Sequence, residues 1–296
     1  MDSSLLPSLA LSRGTIDRAG HHRPDAEWLN AKWKDDSSRV LIVSDGRVVV
    51  EGDPPRLALV APSELDGVDP QQRWFLGLDD DTAMFTVPGD LPGGHTANLR
   101  EVGALLGDRD SGLMTTAVAL EAWHTHHTHC PRCGAPTTIA EAGMVRRCTA
   151  DRSLHHPRVD PAVIMTVVDD EDRVLLGHQA RWPPRRFSTL AGFVEPGESL
   201  EQAVAREVHE ETNVVVDAAT YIGSQPWPFP NSLMLGFHAH AATTDITVDE
   251  VEITEASWFT RDELEAAVAS GDLRLPPPVS IARRLIERWH GTTLGR

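Results

Sequence analysis

Three things are scarce in this 296-residue sequence: cysteine, basic residues and long apolar runs. Of the three cysteines, two form a Cys-x-x-Cys pair, which favours metal binding in a reducing cytoplasm over a disulfide framework. The 27 Lys and Arg residues against 44 Asp and Glu residues leave a net charge of −17, which argues against a broad basic surface for duplex DNA. Because the chain has no run of 18 apolar residues and no basic-then-apolar amino terminus, we expect neither a membrane span nor a signal peptide.

The sequence patterns divide the chain into three predicted regions, 1–125, 126–158 and 159–296. The first combines strand-like pieces with a mostly helical stretch at 99–124, which predicts an α+β domain without a recognisable catalytic motif. Its first thirty-odd residues lack periodicity and are predicted to form an irregular lead-in. From Arg39, the segment RVLIVSDGRVVVEG is apolar on both sides of Asp45-Gly46, a dipeptide that predicts a β-hairpin.

The second region has the cysteine spacing of a zinc ribbon. Cys130 and Cys133 flank a Gly-bearing knuckle, and Cys148 follows after fourteen residues. A complete ribbon has a fourth cysteine three positions later, where this chain has Asp151. Three outcomes stay open: a Cys₃Asp zinc site, recruitment of His129 or His155 as the fourth ligand, or a ribbon held by packing alone.

The third region predicts an α/β/α sandwich around a mixed sheet. Strand-like runs at 162–168 and 174–176 form a hairpin, further strands occur at 214–223, 233–241 and 255–259, and no βαβ unit is repeated. Two helices are predicted near the end of the chain, from Thr260 to Ser270 and near 279–290.

One predicted helix in the third region carries a cluster of glutamates. In the segment GFVEPGESLEQAVAREVHEETNV, Ser199 and Gln202 form a capping box, and Asn213 is a suitable helix stop. Glu207, Glu210 and Glu211 are i, i+3 and i+4 neighbours whose charges repel near the helix end. A solvated acidic face is the ordinary explanation, but oxygen ligands on one face also suit a hard divalent ion, Mg²⁺ or Mn²⁺.

The spacing within this segment resembles the Nudix box. The resemblance rests on Gly192, Glu198, Arg206-Glu207, Glu210-Glu211 and Val214; it departs at Asn213, where the family has glycine. Ten residues further on, SQPWPFPNS is similar to a motif of the NADH pyrophosphatase branch of that family, whose members also remove NAD caps from RNA. The cysteine-bearing region just before the third region resembles the same branch.

The resemblance implies roles for individual residues. Divalent cations would bind Glu207, Glu211, Glu252 and the backbone carbonyl of Ala191. Glu210 would be a further ligand or the base, Glu210 or Glu211 would take a proton from the attacking water, and Arg206 would orient the carboxylates. Dinucleotide contacts would come from Phe193, Ala282, His156 of the other subunit, and the loop residues Gln225, Pro226, Trp227, Pro228, Phe229, Pro230, Asn231 and Ser232.

The implied activity is Mg²⁺- or Mn²⁺-dependent hydrolysis of the diphosphate of NADH, NAD⁺ and related dinucleotides. The products would be NMN(H) and AMP, and the same chemistry would remove NAD caps from RNA 5′ ends. The resemblance also implies a homodimer, and the cysteine usage favours the cytoplasm. The alternative is a Nudix-fold sensor that binds a nucleotide without cleaving it.

Overall fold

A computed structural model describes residues 5–6 and 9–295 of the chain. The contacts between residues divide it into two compact units. One consists of residues 11–159 and 227–231, and the other of the described residues before Leu11 together with 160–226 and 232–295. No helix in the described part of the chain is both long enough and apolar enough to cross a bilayer.

The unit of residues 11–159 begins with small β-sheets and three helices. Its strands in this part are β1 (Arg39–Val43), β2 (Arg47–Glu51), β3 (Arg56–Leu57), β4 (Trp74–Asp79), β5 (Thr82–Pro88) and β6 (His95–Asn98). Its helices are α1 (Ala26–Trp33), α2 (Leu99–Val102) and α3 (Asp108–His126). The prediction of an irregular lead-in is therefore wrong at α1, which Asp25 caps by accepting a hydrogen bond from the Trp28 N–H at 2.9 Å.

The hairpin predicted at Asp45-Gly46 is confirmed only as a turn. Ser44 and Arg47 exchange both backbone hydrogen bonds, and Asp45 and Gly46 have the positive φ angles that such a turn requires. Beyond the turn the strands separate, because β1 joins the sheet β1-β5-β4 while β2 joins β3-β2-β6. Buried side chains occur in succession along both strands, so each is covered on two faces rather than one.

The rest of this unit is a small three-stranded sheet in the order β7-β8-β9. Its strands are β7 (Thr137–Ala140), β8 (Val145–Cys148) and β9 (Leu154–His155). The Cys-x-x-Cys turn precedes β7, and the turn after β8 carries Asp151.

The second unit is built on a six-stranded mixed sheet. Five strands follow the order β13-β14-β10-β11-β15, with β12 paired to β10. The bounds are β10 (Asp160–Val168), β11 (Val174–His178), β12 (Leu190–Phe193), β13 (Val216–Trp227), β14 (Ser232–Ala241) and β15 (Glu255–Phe259). The predicted hairpin of β10 and β11 is confirmed by antiparallel pairs such as Val168 with Val174, whereas β10 and β14 run parallel.

Helices cover both faces of this sheet, as the sequence predicts. They are α4 (Leu200–Thr212), α5 (Arg261–Ser270) and α6 (Ile281–His290). Val163, Met165 and Val167 of β10 pack with the apolar side of α4. Ile164 lies in a separate cluster with residues of α6, because successive residues of a strand face opposite sides.

The helix α4 begins and ends where the sequence predicts. Ser199 accepts a hydrogen bond from the Gln202 N–H, and Gln202 accepts one from the Ser199 N–H at 2.8 Å. Asn213 takes the left-handed conformation, with φ of 61°, in place of the family's glycine. The helix therefore ends at Thr212, one residue after Glu211.

Candidate active site

Glu211 is the most buried carboxylate on α4, with 3% of its surface exposed. Neither of its carboxylate oxygens has a hydrogen-bond partner within the described residues. Burial, followed by the negative charges of Glu207 and Glu252, raises the pKa of Glu211 to about 8. A buried carboxylate without a donor is costly, so Glu211 is not part of a solvated acidic face.

Glu207 lies against the strand that precedes the helix. A Cβ placed on Gly192 would be 1.8 Å from Cδ of Glu207, so the carboxylate occupies the space that any other side chain at position 192 would fill. Burial raises the pKa of Glu207, and the hydrogen bond from Arg206 partly opposes that shift. This contact explains why a glycine begins the motif: it lets the Glu207 carboxylate approach the backbone of β12.

Arg206 ties the loop before α4 to the carboxylates on the helix. Its guanidinium donates two hydrogen bonds to Glu198, at 2.6 and 3.0 Å. It also donates to Glu207 at 2.8 Å, to Glu210 at 2.9 Å and to the backbone carbonyl of Phe193 at 2.9 Å. The two bonds from Arg206 lower the pKa of Glu198, which marks the pair as charge-assisted.

Glu252 belongs to a loop before β15 that Asp249 organises. The Asp249 carboxylate accepts hydrogen bonds from the N–H groups of Glu252 at 3.0 Å and Ile253 at 2.9 Å. Its charge adds to those that raise the pKa of Glu211. The sequence analysis does not identify Asp249. The available signal is its place three residues before Glu252, from which an Asp side chain can accept hydrogen bonds from the backbone of the loop.

The donor set on these elements fits a hard divalent cation. The negative charges that raise the pKa of Glu211 come from carboxylates of α4 and of the 249–252 loop, and carboxylate oxygens are ligands that a hard divalent cation prefers. Ala191, whose carbonyl the resemblance names as a ligand, lies in β12 opposite Ile164 of β10. The charges of Glu207, Glu252 and Glu210 all act on Glu211 to raise its pKa, and of these groups Glu210 has a side chain that is 59% exposed.

The ribbon holds a second candidate metal centre. Within the described residues, one group of His, Cys, Asp or Glu side chains has ligand atoms all within 4.8 Å of one another: Cys130, Cys133, Cys148 and Asp151. The three cysteines are free, with the sulfurs of Cys133 and Cys148 3.5 Å apart. Neither His129 nor His155 belongs to this group.

The carboxylate of Asp151 is oriented by its neighbours. Its Oδ1 accepts hydrogen bonds from the hydroxyl of Ser153 at 2.6 Å and from the Ser153 N–H at 2.9 Å, and these bonds lower the pKa of Asp151 to about 2. Its Oδ2 lies 3.9 Å from the sulfur of Cys130. One oxygen is therefore engaged and the other faces the thiols, as expected for a ligand that binds through a single oxygen.

The remaining residues named from the resemblance are distributed over both units. In the second unit, Phe193 is 59% exposed at the end of β12, Gln225 is fully buried and donates to the Val279 carbonyl at 3.0 Å, and Ala282 is buried in α6. Pro226 and Ser232 flank the turn between β13 and β14. In the other unit, His156 is exposed after β9, and the segment 227–231 packs with residues 11–159.

Three models of known protein families match successive parts of the chain. The NUDIX domain matches residues 158–277, the NADH pyrophosphatase zinc ribbon domain matches 126–155, and the NADH pyrophosphatase-like rudimentary NUDIX domain matches 37–123. The fold and the glutamate-bearing helix thus define a Nudix hydrolase with a zinc ribbon. More specifically, the chain belongs to the NADH pyrophosphatase branch of the Nudix hydrolases, which confirms the resemblance found in the sequence.

Individual relatives match over nearly the whole chain. The protein named NAD-capped RNA hydrolase NudC from Mycobacterium bovis is 41% identical over 94% of both chains, and that from Mycobacterium tuberculosis matches equally. The human NAD-capped RNA hydrolase NUDT12 is 42% identical over 62% of this chain and 42% of its own length.

Proposed function

We propose that this enzyme hydrolyses the diphosphate bond of NADH and NAD⁺, giving NMN(H) and AMP, and removes NAD caps from RNA 5′ ends. The relatives named for NAD-capped RNA hydrolysis support the substrate class. The observation that carries the hydrolytic role is the pair of buried Glu211 oxygens, which have no hydrogen-bond partner among the described residues, together with the charges of Glu207 and Glu252 that raise the pKa of Glu211.

In the proposed mechanism, Glu207, Glu211 and Glu252 would hold Mg²⁺ or Mn²⁺, together with the Ala191 carbonyl. Such ions would supply positive charge that offsets the negative charge of the diphosphate and of the transition state. Arg206 keeps Glu207 and Glu210 in fixed orientations through its two 2.8–2.9 Å hydrogen bonds. We assign the proton-accepting role to Glu210, because its side chain is 59% exposed and so remains accessible to the attacking water.

We infer that dinucleotide recognition uses the 225–232 loop with Phe193, Ala282 and His156. Nδ2 of Asn231 is buried and lacks a hydrogen-bond partner among the described residues, as a donor kept for a ligand would be. The exposed ring of Phe193 offers a face on which a base can stack. A ring contributed by the other subunit requires a homodimer, and we propose that this dimer acts in the cytoplasm.

The proposed function predicts defined products. Purified protein with Mn²⁺ or Mg²⁺ should convert NADH into NMNH and AMP, and NAD-capped RNA into RNA with a 5′-monophosphate, as measured by chromatography and mass spectrometry of the products. RNA of the same sequence with an uncapped 5′-triphosphate end is the matched control. Binding of NADH in calorimetry without any product after prolonged incubation would instead identify a nucleotide sensor.

We propose that the ribbon binds zinc through Cys130, Cys133, Cys148 and Asp151. The convergence of these four ligand atoms supports this set, and the family match to a zinc ribbon supports the metal. Thiolates are better zinc ligands than a carboxylate, so a Cys₃Asp site should lose its metal more readily than a Cys₄ site.

Zinc release gives a test of this ligand set. Elemental analysis should find about one zinc per chain, and a chelator with a colorimetric zinc indicator should remove it at least ~10-fold faster from the wild-type protein than from Asp151→Cys. Ser153→Ala, which removes the hydroxyl bonded to Asp151, should accelerate release further. Equal release rates for the wild-type and Asp151→Cys proteins would show that Asp151 is not a ligand.

A further inference from the structure

Two aromatic residues, one at the end of β13 and one in the turn that follows it, contact each other within the protein. Trp227 and Phe229 have ring centroids 4.9 Å apart at an interplanar angle of 70°, and the Phe229 N–H donates to the Trp227 carbonyl at 2.7 Å. Pro228 between them is buried. The segment 227–231 belongs to the same compact unit as residues 11–159, not to the unit that contains the two strands it joins.

A single guanidinium contacts both rings. The guanidinium carbon of Arg100 lies 5.0 Å from the ring centroid of Trp227 and 4.0 Å from that of Phe229. Both distances are within the range in which a cation is attracted to the face of an aromatic ring. Arginine suits this position better than lysine, because its planar, delocalised cation stacks on a ring as well as attracting it.

The backbone of Arg100 is fixed by reciprocal capping. Asn98 Oδ1 accepts hydrogen bonds from the N–H groups of Arg100 at 2.9 Å and Glu101 at 3.1 Å. Glu101 accepts in return from the Asn98 N–H at 2.9 Å and pairs with Arg47 at 3.3 Å. The cation that meets the two rings is thus presented by a short, well-anchored segment of the amino-terminal fold.

We propose that Arg100 is a positioning residue for the dinucleotide loop, an inference that rests on the proposed function. The tip of this loop is held by Arg100 through Trp227 and Phe229, within one compact unit. Fixing the two rings limits the freedom of Pro230 and Asn231, which follow them in the chain, so less conformational entropy is lost when a substrate binds. The role concerns binding, because the rings that Arg100 contacts belong to the proposed dinucleotide loop. Through Arg100, the amino-terminal region, which carries no recognisable catalytic motif, would contribute to substrate recognition.

The kinetic test compares Arg100→Ala and Arg100→Lys with a matched surface control. Arg56→Ala removes another exposed arginine of the same unit, one that forms an ion pair with Glu51 at 3.1 Å. For NADH, Arg100→Ala should raise KM about 5- to 10-fold with kcat within about twofold, Arg100→Lys should recover part of that loss, and Arg56→Ala should match the wild type. An unchanged KM in Arg100→Ala overturns the role in binding.

A spectroscopic measurement tests the anchor without relying on activity. The chain has eight tryptophans, so intrinsic fluorescence mixes their signals, whereas ¹⁹F NMR of protein labelled with 5-fluorotryptophan separates them. Trp227→Phe identifies the Trp227 resonance. Arg100→Ala should shift and narrow that resonance while leaving most others in place; an unmoved Trp227 resonance refutes the contact itself. If the wild-type protein cleaves no dinucleotide, the proposed function fails, yet the NMR result still decides whether Arg100 holds the loop.

Discussion

Replacement of Glu211 by glutamine should lower kcat/KM for NADH by at least ~10²-fold, with Mg²⁺ or Mn²⁺ present at saturating concentration for the wild type. The reason is that the amide removes the charge of the carboxylate whose two oxygens have no hydrogen-bond partner in the described part of the chain, and so weakens the proposed cation site at its most buried point. Steady-state product formation measures the loss, and calorimetric titration with Mn²⁺ measures the cation affinity. Glu210→Gln is the matched comparison: it should reduce kcat while leaving the Mn²⁺ affinity close to that of the wild type. Full activity of Glu211→Gln would remove Glu211 from the site.

The same substitution should stabilise the protein when divalent cations are not added. The folded-state pKa of Glu211, about 8, lies above the ordinary value of 4.5, so the folded state holds its proton more tightly than the unfolded state. The stabilisation that this proton provides is complete below pH 4.5 and is lost as the pH rises to 8. At pH 8, Glu211→Gln should therefore melt about 5–10 °C above the wild type, and at pH 4.5 the difference should vanish. A difference that does not change with pH would contradict this titration.

Replacement of Gly192 by alanine should reduce activity by about 10²-fold although it adds only one methyl group. That methyl would fall 1.8 Å from Cδ of Glu207 and about as close to both carboxylate oxygens, so Glu207 must leave its position beside β12. Circular dichroism should report an intact fold, because Gly192 has no positive φ and pairs normally with Val163. Gly93→Ala, which adds the same methyl into open space, should be indistinguishable from the wild type.

A double-mutant cycle identifies the route of the Gly192 effect. If alanine at position 192 acts by displacing the Glu207 carboxylate, it should cost little in a protein that already carries Glu207→Ala. The quantity to compare is the change in kcat/KM on introducing Gly192→Ala in each background. Equal losses in both backgrounds would mean that the methyl disturbs something other than Glu207.

The helix α4 and its surroundings could be predicted because local rules and family spacing agree there. The Ser199–Gln202 capping box, the apolar side of the helix and the stop at Asn213 are each decided by neighbours in sequence. The sandwich fold followed from the absence of a repeated βαβ unit. The four ligand atoms of the ribbon converge as the cysteine spacing indicated, with Asp151 in the fourth position.

The features that escaped prediction depend on contacts between distant residues. The turn at Asp45-Gly46 carries a clear local signal, but which sheet each flanking strand joins is decided by partners such as β5 and β6, far along the chain. The helix α1 had a usable cap in Asp25, but its periodicity was too weak to be recognised. Arg100 and Trp227 are separated by 126 residues, so the sequence near Trp227 does not predict the contact between the guanidinium and the ring.

The hydrogen bonds of Arg206 affect how the enzyme responds to the concentration of divalent cations. One guanidinium serves Glu198, Glu207 and Glu210, which leaves Glu211, Glu252 and Asp249 without a basic side chain to balance them in the interactions described above. Any divalent ion that binds this excess of negative charge binds the folded state alone, and so shifts the folding equilibrium by mass action. The free Mg²⁺ or Mn²⁺ concentration should then set the fraction of catalytically competent molecules and the resistance of the catalytic unit to unfolding together. A shortage of these ions would make the enzyme both inactive and easier to degrade.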